Sequence, residues 1–294
     1  MKKILFATDF SSNANKAFGF ALNLAEKHQA DLIMLHVYDV EPVFGHPYAT
    51  TSPADLTRRK SENWENKLKE FFNQYDSDIQ PTYISIEHTS VVKGILSVIK
   101  NQKPQLVVTG TKGESPVKEL LFGGTTKALV KRSPVPVFAV PEYADLKDYD
   151  RVLYTSDFRE ADLKALQDLV EWVRPFEPEI KVLHMSTDNE FKRLEKMEWF
   201  KELINDNVSY TAISCELISS NDTFNTLNKY MTQNDFDLLV MLEKERNGII
   251  DKIFHEDLVK KMEFRTWIPL LSYNEHYLSI TDDQDIKQND TAQH

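Results

Sequence analysis

KKILFATDFSSNANKAFGFALNLA, residues 2–25, is answered much later in the chain by DRVLYTSDFREADLKALQDLVEWV, residues 150–173. Each places a basic residue before a short apolar run, passes through [Ser/Thr]-Asp-Phe, and continues with apolar residues at helical spacing. Those residues are Ala14, Ala17, Phe18, Ala21, Leu22 and Ala25 in the first, and Leu163, Leu166, Leu169, Val170 and Val173 in the second. A buried strand followed by an amphipathic helix is the reading for both. Three more pairs follow in the same order: DLIMLHVYDV with IKVLHMSTD, PQLVVTG with FDLLVML, and VPVFAVP with IPLLSYN. Four matched segments in one order make an internal duplication.

Within a copy, strands alternate with helices, and several strands are apolar on both faces. That pattern calls for a parallel sheet covered on two sides, an α/β fold of two similar, doubly wound, open parallel sheets in tandem. The expected boundaries are residues 1–142 for the first domain, 150–274 for the second and 275–294 for an acidic polar tail, with the charged EYADLKDYD between the domains. The chain length of 294 suits two domains of about 150 residues. The last strand of each copy would sit at a sheet edge, so the two should pair with each other, as an intrachain pseudo-dimer, or with a second chain in a homodimer.

Composition narrows the function. With 41% hydrophobic and 28% charged residues this is an ordinary globular balance, and no apolar run approaches the ~18 residues of a membrane span. The start, MKKILFATDFSSN, lacks the longer apolar region of a secretory signal, so a cytoplasmic location is expected. The single cysteine, Cys215, agrees with a reducing compartment and reads as a structural residue. A net charge of −11 argues against general nucleic-acid binding, so an anionic ligand must be held by local geometry. Neither a cysteine pair nor closely spaced histidines suggest a metal. His36 and His184 occupy equivalent places in apolar runs and read as structural.

The chemistry concentrates in VVTGTKGESPVKELLFGGTTKALVKRSPVPVFAV, residues 107–140, which holds four of the eight glycines: Gly110, Gly113, Gly123 and Gly124. Glycine reaches positive φ cheaply and has no Cβ to keep a ligand from the backbone. The amides of Gly123, Gly124, Thr125 and Thr126 would lie at a helix N-terminus, where unpaired N–H groups and the dipole favour phosphate. The alternative is that these glycines only shape turns and cap a helix. The spacing excludes a Walker loop, and no GxGxxG follows the first strand.

KKILFATDFS, LIMLHV and G-x2-G-x9-G together resemble the universal stress proteins, and the duplication is similar to their tandem two-domain form. The resemblance is strong over residues 1–141 and weak over 150–274. It implies a nucleotide-binding first domain. The ATP-binding branch has G-x2-G-x9-G-[S/T], which matches Gly110, Gly113 and Gly123, with Gly124 where a hydroxyl residue is expected. It further implies that Asp9 contacts the nucleoside and that Val37 flanks the adenine, with Ala7 where relatives often have proline. The expected site is therefore Ala7, Thr8, Asp9, Val37, Gly110, Lys112, Gly113, Gly123, Gly124, Thr125 and Thr126, and the expected ligand ATP, with Mg2+ as its companion ion.

No catalytic base is evident, although Lys112 and Glu114 lie in the loop. A regulatory ATP-binding protein is the favoured function, and a non-binding interaction scaffold or a slow ATP hydrolase are the alternatives. In the second copy, Glu243 is set opposite Gly110, Arg246 opposite Gly113, and His255 and Glu256 opposite Gly123 and Gly124. Bulk and carboxylates there would obstruct a triphosphate. The second copy then reads as a degenerate, structural partner, and Asp157 as a helix-capping counterpart of Asp9. One chain is expected to bind one ATP.

Overall fold

The computed structural model describes residues 1–40, 53–111, 123–243 and 268–275. Lys112, Gly113 and Glu114, the segment with Arg246, His255 and Glu256, and the tail beyond Glu275 lie outside these residues.

In the first half β1 (Lys3–Ala7), α1 (Ser12–His28), β2 (Asp31–Tyr38), α2 (Pro53–Phe72), β3 (Thr82–Glu87), α3 (Val91–Gln102), β4 (Leu106–Gly110), α4 (Gly124–Arg132) and β5 (Val137–Val140) alternate as expected. The second half repeats the plan with β6 (Arg151–Thr155), α5 (Glu160–Val173), β7 (Glu179–Ser186), α6 (Glu190–Asn207), β8 (Ile213–Ser219), α7 (Thr223–Asn234), β9 (Leu238–Glu243) and β10 (Leu270–Asn274). Successive side chains of a strand point to opposite faces, and each face here has its own cover. Ile4, Phe6, Met34 and Val108 pack with the apolar sides of α1, α2, α5 and α6, while Leu5, Ala7, Leu35 and Val107 pack with those of α3, α4 and α7.

The strand order is β3-β2-β1-β4-β5-β10-β9-β6-β7-β8. The two expected sheets are joined edge to edge into one of ten strands. Every pairing is parallel except β5 with β10, which is antiparallel with Phe138 opposite Leu271. The terminal strands of the copies thus close each other's edges, as their exposed backbone groups require. Because that junction is antiparallel, the strands of the two halves run in opposite directions. In each half the order reverses beside the first strand, between β1 and β4 and between β6 and β9, and ligands of such sheets sit beyond the strand C-termini at these points.

Other contacts hold the halves together. Lys2 Nζ donates to the Glu171 carbonyl at 2.7 Å and lies 4.3 Å from the centre of the Trp172 ring. His28 Nε2 donates to the Trp172 carbonyl at 2.8 Å. Within the second half, Asp237 Oδ2 accepts from the amides of Asp150 and Arg151 at 2.9 and 2.8 Å and pairs with Lys147, which fixes the end of the connecting segment to β6.

Candidate functional site

At the first switch point the chain turns sharply between β1 and α1. The Thr8 amide donates to the Leu35 carbonyl at 2.9 Å, and the Thr8 carbonyl accepts from His36 Nδ1 at 2.9 Å. The Thr8 hydroxyl accepts from the Phe10 amide at 2.9 Å, and Phe10 takes a φ of 64°, a region that non-glycine residues enter only when their surroundings over-determine them. Those surroundings are the rings of His36, Trp64 and Phe71, with centroids 4.8, 6.0 and 5.9 Å away. Asp9 is exposed, and its Oδ1 accepts from the Ser11 amide at 3.0 Å. Ser11 is the N-cap of α1, its hydroxyl accepting from the Ala14 amide at 3.2 Å, so the helix-capping duty falls to Ser11 rather than to Asp9.

The opposite wall is the end of β4 and the start of α4. Gly123 is the N-cap of α4 and supplies no side-chain cap, and the first turn of the helix contains no acid. The first backbone bond of the helix is from the Lys127 amide to the Gly123 carbonyl at 3.1 Å. The amides of Gly124, Thr125 and Thr126 precede it and have no partner within the helix. Thr126 turns its hydroxyl back to the Gly110 carbonyl at 2.8 Å, which ties the helix start to the strand end.

Between these walls lies a cavity of about 230 Å3, lined by Ala7, Thr8, Asp9, Val37, Gly110, Gly123, Gly124, Thr125 and Thr126. All nine were expected at one site from the sequence. Lys112 and Gly113 fall outside the described residues. Ala14, Leu35, Val91, Ile95 and Thr109 also line it and were missed. Leu35 and Thr109 could have been found as strand-end neighbours of Val37 and Gly110, whereas Val91, Ile95 and Ala14 are placed by helix packing.

The glycines act differently from expectation. None of the described glycines has a positive φ, and Gly123 is extended at φ −63° and ψ 161°. Their use is the absent side chain. A Cβ on Gly110 would lie 2.7 Å from Asn13 Nδ2 and 3.0 Å from its Cγ, so Gly110 lets the start of α1 approach β4. One on Gly94 would lie 2.7 Å from Val37 Cγ1, so Gly94 lets α3 close onto the pocket floor. A Cβ on Gly124 would meet nothing within 4 Å.

The second switch point repeats the histidine and hydroxyl bonds of the loop. His184 Nδ1 donates to the Ser156 carbonyl at 2.8 Å, the Ser156 hydroxyl accepts from the Phe158 amide at 2.8 Å, and Phe158 has φ 52°. Burial pushes both imidazoles below the usual histidine range, which favours the neutral ring that donates through Nδ1. The cavity lining is what changes. Opposite Ala14 stands Asp162, almost fully buried, whose carboxylate accepts from the Tyr154 hydroxyl at 2.9 Å and from the amides of Asp157 and Arg159 at 3.2 and 3.0 Å. Burial raises the pKa of Asp162 despite these bonds.

Sheet register corrects one expected match. Ala7 pairs with Thr109 and Thr155 with Met241, so Gly110 corresponds to Leu242, and the buried Glu243 falls opposite Thr111. The glycine loop and the acidic segment suggested a pairing one residue out of step with the backbone ladder. In the same register Ala161 corresponds to Asn13. Bulk has been exchanged: Asn13 against Gly110 in one half, Ala161 against Leu242 in the other.

Cys215 is half-buried and its thiol is pushed up to about 11, which suits the structural role expected of it. Among the described residues no three or more His, Cys, Asp or Glu are placed to hold a metal ion, and no helix is long and apolar enough to cross a membrane.

The fold is shared with solved universal stress proteins. The model of the universal stress protein family matches residues 1–141, just under half of the chain. A universal stress protein of Methanocaldococcus jannaschii is 25% identical over 146 residues, covering 47% of this chain and 81% of that protein. One from Thermus aquaticus is 28% identical over 145 residues, covering 47% and 98%. The duplicated arrangement is matched by the crystal structure of a universal stress protein from Archaeoglobus fulgidus, with a TM-score of 0.65 at 15% identity over 93% of this chain and 98% of that one. The cytoplasmic domain of a prokaryotic cation chloride cotransporter shares the fold at a TM-score of 0.54 and 9% identity, over 95% and 99%. Such distant likenesses speak for the fold alone.

Proposed function

We propose that the first half binds one adenine nucleotide, ATP, as a regulatory ligand in a cytoplasmic stress response, and that the second half is a structural partner. The observation that carries this is the cavity at the first switch point. Its floor is apolar through Leu35, Val37 and Ile95, and its rim is backbone from Thr8, Asp9 and the uncapped first turn of α4. A flat apolar floor suits a purine, and a helix N-terminus free of acids suits phosphate. Asp9 is the exposed carboxylate for a ribose hydroxyl, and Lys112, Gly113 and Mg2+ would complete the phosphate end.

Residues 1–142 and 150–274 act as the two domains, with 275–294 as a tail, and the β5–β10 pairing takes the place of a contact between chains. Occupancy would bias a conformation or a partner's binding, and turnover is not required. Nucleotide released on denaturing the purified protein, with one site per chain by titration calorimetry and its loss in Gly123→Val, is the expected result. Folded Gly123→Val that binds ATP like the parent would overturn the reading in favour of glycines that only shape turns. Conversion of the bound ATP within hours would move it to the slow hydrolase.

A further inference from the structure

Among the described residues, the helices on the two faces of the sheet differ in charge. α1, α2, α5 and α6 mix acids and bases, whereas α3, VVKGILSVIKNQ, and α4, GTTKALVKR, carry cations and no acid. In a chain of net charge −11 this face stands apart. Compensation of the helix dipole accounts for bases in a last turn, but Lys93 stands in the first turn of α3 and Lys127 close behind that of α4, where a cation is unfavourable. Both helices cross back over parallel strands on the same face and so run the same way. Lys100 and Lys103 from one therefore gather with Lys131 and Arg132 from the other at a single end, and all four are exposed.

β10 delivers the chain to this end. It runs antiparallel to β5, so its last residues lie beside the start of β5, where α4 finishes. Asn274 Nδ2 donates to the Lys131 carbonyl at 2.8 Å, and Glu275 is held by Arg159 at 2.7 Å, which fixes the exit point. The sequence beyond it, HYLSITDDQDIKQNDTAQH, carries Asp282, Asp283, Asp285 and Asp290 against a single Lys287. Asp282 follows Glu275 by seven residues, a reach of up to ~25 Å. Packed helices lie ~8–10 Å apart, a spacing that such a tether exceeds.

We propose that the acidic segment 282–290 docks on the cationic end of α3 and α4 in its own chain and masks that face from other anions. Opposite charge attracts it, and the tether holds it at an effective concentration near ~1 mM, so weak contacts suffice. A nucleic acid would have to approach against the net negative field of the whole chain.

Zero-length carbodiimide cross-linking of the full chain, read by peptide mass mapping, tests this. Links from Asp282, Asp283 or Asp285 to Lys100, Lys103 or Lys131 are expected in the monomer, with yields falling several-fold between about 50 and 500 mM salt. Reversing Lys100, Lys103 and Arg132 to Glu should abolish the effect, and reversing Asp282, Asp283 and Asp285 to Lys in that background should bring the two segments together again. Tail links to lysines on the opposite face, links found only between two chains, or yields indifferent to the reversals would overturn the proposal. So would tight binding of a labelled single-stranded oligonucleotide by the intact chain.

Discussion

Both switch-point loops of this molecule are held by a histidine Nδ1 on the carbonyl of a Ser or Thr and closed by a phenylalanine of positive φ, yet they differ at the sixth residue after that Ser or Thr. In the first half the corresponding helix position is Ala14, and a cavity opens against α4. In the second it is Asp162, whose carboxylate takes the loop amides for itself. The duplication preserved the backbone machinery of the turn and diverged in the side chains that face the crevice. A loop geometry shared by both copies cannot by itself mark a binding site, and the distinguishing features are small residues where the crevice must stay open.

The largest effect is expected from making the first crevice resemble the second. Ala14→Asp should lower ATP affinity by about 100-fold or more, because a carboxylate would compete for the loop amides and repel phosphate. Calorimetry with circular dichroism checks that binding falls while the fold persists, and unchanged affinity would break the contrast between the halves. The reverse change, Asp162→Ala, should cost ~2–4 kcal/mol in urea unfolding, since the Tyr154 hydroxyl and two amides lose their acceptor. It should not create a second ATP site, because Leu242 still occupies the place of Gly110.

Exchange of bulk can be tested next. Gly110→Ala should destabilise by ~1–3 kcal/mol, as the added Cβ presses on Asn13. Combining it with Asn13→Ala imitates the arrangement of Ala161 and Leu242 and should recover much of the loss. Additive losses in a double-mutant cycle would mean the two positions are not coupled.

A smaller gain is expected at Gly124, where a Cβ meets open space. Gly124→Ser should tighten ATP by ~3–10-fold through a hydroxyl contact to phosphate. No gain, with the fold intact, would place the phosphates away from the first turn of α4.

The least difference between the halves is expected in their histidines. His36 and His184 are both depressed below 6.5 by burial, so the folded protein binds fewer protons than the unfolded chain in the window between each folded value and 6.5. Their stabilising contribution is therefore complete above pH 6.5 and lost as pH falls through the folded values. Imidazole resonances followed by NMR should titrate late in both copies, and a normal titration of either would separate the loops.

The fold was legible because its signals are local and repeated. The buried strand, the Thr-Asp-Phe or Ser-Asp-Phe turn and the spacing of Ala14, Ala17, Phe18 and Ala21 each follow from one stretch of chain, and the second copy confirms the first. That these nine residues line one cavity was legible because strand ends and a glycine-rich helix start can be read along the sequence. Val91, Ile95 and Ala14 were not, since their place depends on how closely α3 and α1 approach the sheet, which the missing side chains of Gly94 and Gly110 permit. The mismatch of Glu243 with Gly110 has the same origin: residue similarity does not count hydrogen bonds along a ladder, and a single-residue shift changes which face a side chain takes.

By itself the sequence determined that there are two copies of an α/β unit, that their last strands need partners, and that one copy alone keeps a glycine loop, because periodicity, edges and composition are properties of the chain. Tertiary structure decided that the copies share one sheet through β5 and β10, that Asp162 takes the loop amides at the second switch point, and that β10 ends beside the C-terminus of α4. Each of these depends on the direction and separation of elements far apart in sequence, which packing sets and residue patterns do not encode.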